Sequence, residues 1–511
     1  MIWYSIGNRA LQVAERGETT GYGSSNDNYE KGKGMKKLFL SQVVLVVLLG
    51  AGVYTASGGD NWPTWRGPDT MGISPGGNPP LEWSETKNIK WKVKLEGDAS
   101  NSSPVIWGNK IFFQTAVDTK IKDDTPTPEQ APMFGSGGGG HPGGATGGPG
   151  SRPGGSGRGG RPSGGRRPGG FGMSMSKPTT QYKFNLVCMD RKTGNLLWEK
   201  TVHQAKPHQG HHGDHGFASF TPVTDGEHVW AAYGSRGIFC YDMDGNKVWS
   251  KELPAMSTMF GEGGSPTLAG NAVIVLQDQR GESFIFAFEK KTGELLWKTP
   301  RDEPASYATP FPVTVDGKLQ VIVSATNFIR SYDVQTGDVV WQCSGQTRNV
   351  IPTPVVGAGI VYVTSGFRGN ALQAIKLGGK GDLSKSDAIV WQVNERTTPY
   401  VPSPLLYDGR IYVCKSNDEI LSCYDAKTGE PHFVEQKMDE MDGVYASPAV
   451  AAGRIYYVGR KGVSYVLKPS DKFEVLAVNT LDDKFDCSPA FVGDEIYLKG
   501  KQNLYCIAAS K

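Results

Sequence analysis

Eight times along the chain a serine or threonine is followed by proline and then by apolar residues. No other feature constrains the fold as tightly. The marker reads SSPVI at Pro104, FTPVT at Pro222, GSPTL at Pro266, ATPFP at Pro310, PTPVV at Pro354, PSPLL at Pro404, ASPAV at Pro448 and CSPAF at Pro489. Successive prolines lie 118, 44, 44, 44, 50, 44 and 41 residues apart. Proline lacks an N–H and suits the first residue of a strand, where no ladder bond is asked of it. Each period holds four short strands, as in the sixth copy: PLLY, RIYVCK, ILSCYD and PHFVEQ, separated by turns. Four antiparallel strands in a period of about 40–50 residues make one propeller blade. The expectation is an all-β, eight-bladed β-propeller of four-stranded antiparallel blades. The last copy stops after three strands, near Tyr505. NIKWKVKL, Asn88 to Leu95, is the candidate for its fourth, an N-terminal strand that closes the ring and removes its exposed edges.

A second phrase recurs in step with the first. DRKTGNLLW at Asp190 returns as EKKTGELLW at Glu289, DVQTGDVVW at Asp333 and, shortened, DAKTGE at Asp425; DMDGNKVW at Asp242 is a tighter version. The acid caps the N–H groups of a turn, glycine supplies the positive φ that closes it, and the β-branched run that follows is a strand. Trp91, Trp198, Trp249, Trp297, Trp341 and Trp391 fall at matching fourth-strand positions. Cys188, Cys240, Cys423 and Cys506 share one third-strand position, which Ala287 and Ser331 occupy elsewhere. A position that accepts Cys, Ala or Ser needs a small buried side chain, so these are read as thiols and not disulfides.

Several segments depart from the period. Residues 1–34 are polar and aperiodic, and are read as a disordered extension. MKKLFLSQVVLVVLLGAGVYTAS, residues 35–57, has the lysines, apolar run and small-residue end of a signal peptide, with an uncleaved anchor as the alternative. Such leaders begin near a chain start, which makes Met35 a second candidate initiator and would leave 1–34 untranslated. The propeller then occupies 58–511, exported to the periplasm or cell envelope. At about 117–181 a Gly/Pro/Arg-rich insertion, read as disordered, separates the second and third strands of the first blade. Its Arg152, Arg158, Arg161, Arg166 and Arg167 look like a nucleic-acid tail, but aromatics for base stacking are nearly absent. With a formal charge of only +3 over 511 residues, no nucleic-acid partner is expected. His208, His211, His212, Asp214 and His215 crowd one short stretch and form the candidate metal site, although their spacing fits no defined motif.

The repeated turn, the fourth-strand tryptophans and NWPTWRGPDTMGIS at Asn61 together resemble the tryptophan-docking, pyrroloquinoline quinone (PQQ)-like repeat propellers. That superfamily includes the quinoprotein alcohol dehydrogenases and the propeller lipoprotein that assists outer-membrane β-barrel assembly. The resemblance covers roughly residues 60–511; Phe433 replaces the tryptophan in the sixth blade, and the seventh has FEVLAV. It implies two functions. One is a binding or protein-interaction scaffold. The other is a PQQ-dependent oxidoreductase with PQQ and calcium, for which the family uses adjacent cysteines, a calcium set and an aspartate base. No two of the seven cysteines here are adjacent, and Glu262, Asp278 and Asn327 match no calcium motif. The scaffold reading is preferred, as a monomer with no cofactor and no catalytic residue assigned. Its loop-rich face carries Arg236, Arg280, Arg368 and Arg460 in turns, and Arg301, Arg348 and Arg396 ahead of markers. They are read as a cationic ring for an envelope protein or an anionic ligand.

Overall fold

The computed structural model describes residues 61–96, 100–126, 178–258 and 260–509. Among these residues the strands form eight sheets, each with four antiparallel strands led by one marker, and the fourth sheet adds a short parallel strand at its outer edge. The chain is an eight-bladed, all-β propeller. Blade 3 is representative: Thr267–Ala269, Ala272–Gln277, Ser283–Glu289 and Leu295–Arg301 run from the axis outward. Its second strand is buried at every position, whereas the fourth alternates with the solvent. Blade 8 is completed by Ile89–Lys94, which pairs antiparallel with Asn503–Ile507 and sets Trp91 opposite Cys506. The extension, the leader and the five insert arginines lie outside the described residues. The insertion begins later than 117. Residues 110–122 form one strand whose pairing continues through Val117–Lys183 and Asp118–Tyr182 to Lys122–Thr180. Cross-strand bonds satisfy the backbone there, and low hydrophobicity alone does not end a hairpin.

The marker's serine or threonine closes the ring. In every blade the marker N–H donates to the marker hydroxyl of the next blade, at 2.9–3.2 Å. The eighth of these bonds runs from Ser488 N to Ser103 Oγ and completes a continuous belt around the axis. Proline fixes the backbone just after each donor, and a short hydroxyl is what reaches the neighbouring N–H.

The turn phrase joins the blades at their outer edge. Trp91, Trp198, Trp249, Trp297 and Trp391 donate Nε1–H at 2.8–3.2 Å to the next blade, to the residue following the acid that opens its turn. Gly293, at φ +71°, shows why the turn ends in glycine. A Cβ there would lie 2.6 Å from Trp249 Cδ2, and Gly337 stands likewise against Trp297. Opposite the tryptophans sit Cys188, Cys240, Ala287, Ser331 and Cys506, all fully buried, and every cysteine is a free thiol. Trp341 is the exception among these donors. Blade 5 has a longer loop in place of the turn, with Gly381–Asp382 laid beside Trp341–Gln342, and the buried indole N–H keeps no acceptor.

A segment that the repeat does not predict plugs the axis. Trp62 exchanges backbone bonds with Ile106 in blade 1, and Pro63 O accepts from Thr224 in blade 2. Farther along, Arg66 donates to Pro404 O in blade 6, and Gly72 and Ser74 bond Val450 in blade 7. Residues 61–74 therefore cross the ring from one side to the other. Trp62 is 1% exposed, and Trp65 Nε1 reaches the belt at Ser488 Oγ, 3.2 Å away.

Candidate functional site

Above the belt, on the loop-rich face, lies a cavity of about 740 Å³. Its floor is Trp65 surrounded by marker hydroxyls, and its wall includes Phe260, Tyr307, Phe367, Tyr400 and Tyr445. The wall is built by a positional rule. In all eight blades the residue two before the marker hydroxyl lines the cavity, from Asn101 through Tyr307 and Tyr445 to Asp486. Each first strand starts at the axis, so the residues leading into it project over the opening. The rings brace one another: Tyr400 stacks on Phe367 at 4.9 Å, and Phe260 meets Phe367 edge-on at 5.8 Å. Asn349 Nδ2 donates to Tyr400 Oη at 2.8 Å, fixing that ring.

Of the seven arginines expected to converge, only Arg368 and Arg460 line this cavity. Arg460 is neutralised. Its Nη2 and Nε lie 2.7 Å from Asp214 Oδ1 and from Asp486 Oδ1, and the guanidinium covers the Tyr445 ring at 4.1 Å. Despite burial, Arg460 holds the Asp214 carboxyl below its ordinary range. Lys501 balances Asp486 from the other side at 3.0 Å. Arg368 is exposed and rests on Phe367 at 5.4 Å. Arg301 is turned inward, bidentate on Asp278 at 2.7 and 3.0 Å, with both side chains fully buried. Arg236 donates to Lys206 O beside a separate small pocket, Arg280 is half-buried, and Arg348 and Arg396 point to solvent. A cationic ring is not formed. Equivalent turn positions carry arginine, but the depth of each loop decides whether it meets a carboxylate, a carbonyl or water.

The histidine stretch does not assemble a metal site either. His211 Nδ1 lies 2.7 Å from His212 O, His212 Nδ1 is 3.7 Å from Asp214, and His215 Nδ1 faces Gly216 O and Ser219 Oγ at 2.9 and 3.1 Å. His208 sits in the other pocket. His212 and His215 face the axial cavity while His208 and His211 face the smaller pocket, so the ring nitrogens do not meet at one point. Among the described residues the one trio of ligand atoms close enough for an ion is Asp225, Glu227 and His228. There Asp225 caps its own turn and pairs with Lys290 at 2.8 Å, and Glu227 pairs with Lys291 at 3.2 Å. The histidine loop forms a strap. Asp214, on the connection from blade 1 to blade 2, is latched to Arg460 on blade 7, to Tyr445 Oη at 3.3 Å and through its carbonyl to Asn101.

Burial pushes the imidazoles of His208 and His215 down to about 4 from 6.5. Between those values the unfolded chain takes up protons that the folded one refuses, so stability falls as pH is lowered through the window and levels below it. The expected loss is on the order of 3 kcal/mol, carried mostly by His215, because water that still reaches His208 discounts its share. Denaturant midpoints of the parent and of a His208→Gln, His215→Gln double variant check it. Equal pH slopes in the two proteins would remove the imidazoles as the cause.

Similarity to known proteins agrees with this architecture. A family model described as outer membrane protein assembly factor BamB matches residues 183–430. No curated protein matches the chain in sequence. Among solved structures, a europium-containing methanol dehydrogenase is 10% identical, with a TM-score of 0.53 over 86% of this chain and 89% of its own. The quinohemoprotein alcohol dehydrogenase from Comamonas testosteroni is 9% identical, with a TM-score of 0.52 over 88% and 81%. BamB from Moraxella catarrhalis is 15% identical, with a TM-score of 0.46 over 63% and 91%. At such identities the two dehydrogenases speak to the fold alone. Its eight marker-led blades, with a family model matched over residues 183–430, support a PQQ-like repeat β-propeller.

Proposed function

We propose that the protein is a binding scaffold of the cell envelope and not an oxidoreductase. The observation that carries this reading is the commitment of every acidic group around the cavity. Asp214 and Asp486 are taken by Arg460, and Glu262 accepts from Ser235 N and Oγ at 2.7 and 2.5 Å. Asp278 is taken by Arg301, and Asn327 N donates to Glu303 at 2.7 Å. A proton-abstracting base needs a free lone pair aimed at substrate, and a calcium set needs unpaired oxygens. Among these oxygens Asp486 Oδ2 accepts no hydrogen bond but is ion-paired to Lys501 at 3.0 Å, and all seven cysteines are separate buried thiols. The residues therefore do not fit PQQ with calcium, and no oxidation step is derived through them.

The envelope assignment rests on the apolar leader and on the matched family, whose description names outer-membrane assembly. Among the described residues, no helix is long and apolar enough to cross a membrane. The test is reconstitution. Purified protein is mixed with PQQ and calcium, its visible spectrum is recorded, and alcohol-dependent reduction of an electron-accepting dye is measured. No dye reduction above a protein-free control is expected. Turnover that depends on both additions would overturn the scaffold reading.

A further inference from the structure

We infer that the axial cavity binds a neutral saccharide, either a free short oligosaccharide or the end of a longer glycan. This deepens the scaffold reading and rests on it. Three independent features lead there.

The first is shape. The plug at 61–74 closes the bottom of the ring, and the strap latched by Asp214 crosses toward Arg460 at the rim. A polymer cannot thread through such a cup. Only a small molecule or a chain end enters it, and about 740 Å³ is within the range of small-ligand sites.

Hydrogen-bonding chemistry is the second. Each marker hydroxyl in the floor already accepts one N–H from the belt and retains one O–H. Of the eight, Thr353 gives its O–H to a protein acceptor, Thr309 O at 3.4 Å. Ser103, Thr221, Ser265, Thr309, Ser447 and Ser488 line the cavity at 2–7% exposure. A ring of hydroxyls that can each donate once more is matched by a ligand bearing several hydroxyl oxygens. A hydrocarbon there would strand those donors.

The third is the wall. Trp65, Phe260, Tyr307, Phe367, Tyr400 and Tyr445 offer flat apolar faces with polar edges, complementary to the C–H faces of pyranose rings. Charge does not favour an ion, because Asp214 and Asp486 offset Arg368 and Arg460 among the lining residues.

The experiment is a titration of intrinsic tryptophan fluorescence, supported by calorimetry, using maltotriose, cellotriose and chitotriose on the full chain. Soluble polymers carrying the same sugars at their ends, a hydrocarbon alcohol and an acidic peptide complete the set. At least one saccharide is expected to bind saturably, with Kd on the order of 1 mM or tighter. Phe367→Ala should weaken it at least tenfold and Phe367→Tyr should not. Ser265→Ala should weaken it similarly, with Ser265→Thr restoring affinity through the retained hydroxyl. Equal affinity per chain end for trisaccharide and polymer would mark recognition of glycan termini, and binding of free sugars alone would mark a soluble ligand. The inference fails if no saccharide binds, or if the alcohol or peptide binds and the sugars do not displace it. In either case the scaffold reading stands, because it is judged by quinone reconstitution.

Discussion

A chain that begins at Ser100 is expected to lose cooperative folding, when compared with one that begins at Asp60. The deletion removes the strand Ile89–Lys94 and leaves the ladder edge of Asn503–Ile507 open. It also removes Trp91, whose N–H reaches Arg191 O in blade 1, together with the plug. Trp62, at 1% exposure, packs on Phe491 at 5.8 Å, and Trp83, at 4%, stacks on Tyr456. Truncating one such side chain costs about 3–5 kcal/mol. Losing three, with the closing strand that holds Trp91, reaches or exceeds the whole stability of a typical domain, about 5–15 kcal/mol. Thermal unfolding followed by circular dichroism, alongside the soluble fraction, gives the answer. A chain starting at Pro79 separates the parts, since it keeps the strand and lacks the plug. A sharp transition within a few degrees of the parent for the Ser100 chain would refute ring closure by the N-terminal strand.

Arg301→Ala is expected to destabilise the protein by about 3–5 kcal/mol, the cost of stranding one member of a buried ion pair. Its partner Asp278 is fully buried, and the remaining donor to that carboxylate is Ser306 Oγ. Arg301 also reaches Tyr332 Oη and lies 5.5 Å from that ring, so the substitution loosens blade 3 from blade 4. The sign of the compensating change is the sharper test. Asp278→Asn in the Arg301→Ala background removes the uncompensated charge and should recover part of the loss. Denaturant unfolding of the four proteins forms a double-mutant cycle, and additive effects would show that the two side chains act independently. The result bears on function, because it separates an arginine that holds the fold from one that meets a ligand.

The architecture was legible because its determinants are local and repeated. Ser/Thr-Pro at a 44-residue spacing, Gly after Thr in the turn, and Trp at the end of the next run each state a backbone requirement within a few residues. The match of Trp198 to Cys188 and of Trp297 to Ala287 follows from that register. The ring of cavity residues was legible too, at two positions before each marker hydroxyl, although Tyr307 and Tyr445 carry neither the charge nor the histidine that draws attention to the loops. The plug had a weaker signal. Two tryptophans in NWPTWRGP, with no blade to place them in, are more aromatic surface than a solvated tail carries.

What the sequence by itself determined is the number of blades, their register, and which strand closes the ring. What the tertiary structure alone decided is the partner of each charge and the use of each hydroxyl. Arginine beside glycine reads the same at Arg368, which is exposed, and at Arg460, which is bound between carboxylates from other parts of the ring. Ser103 and Ser488 become hydrogen-bonded neighbours across 385 residues of chain. The physical reason is range. Turn and strand preferences act between adjacent residues, whereas the strength of an ion pair depends on distance and on the dielectric around it. In this protein both quantities exist only after the eight blades have closed.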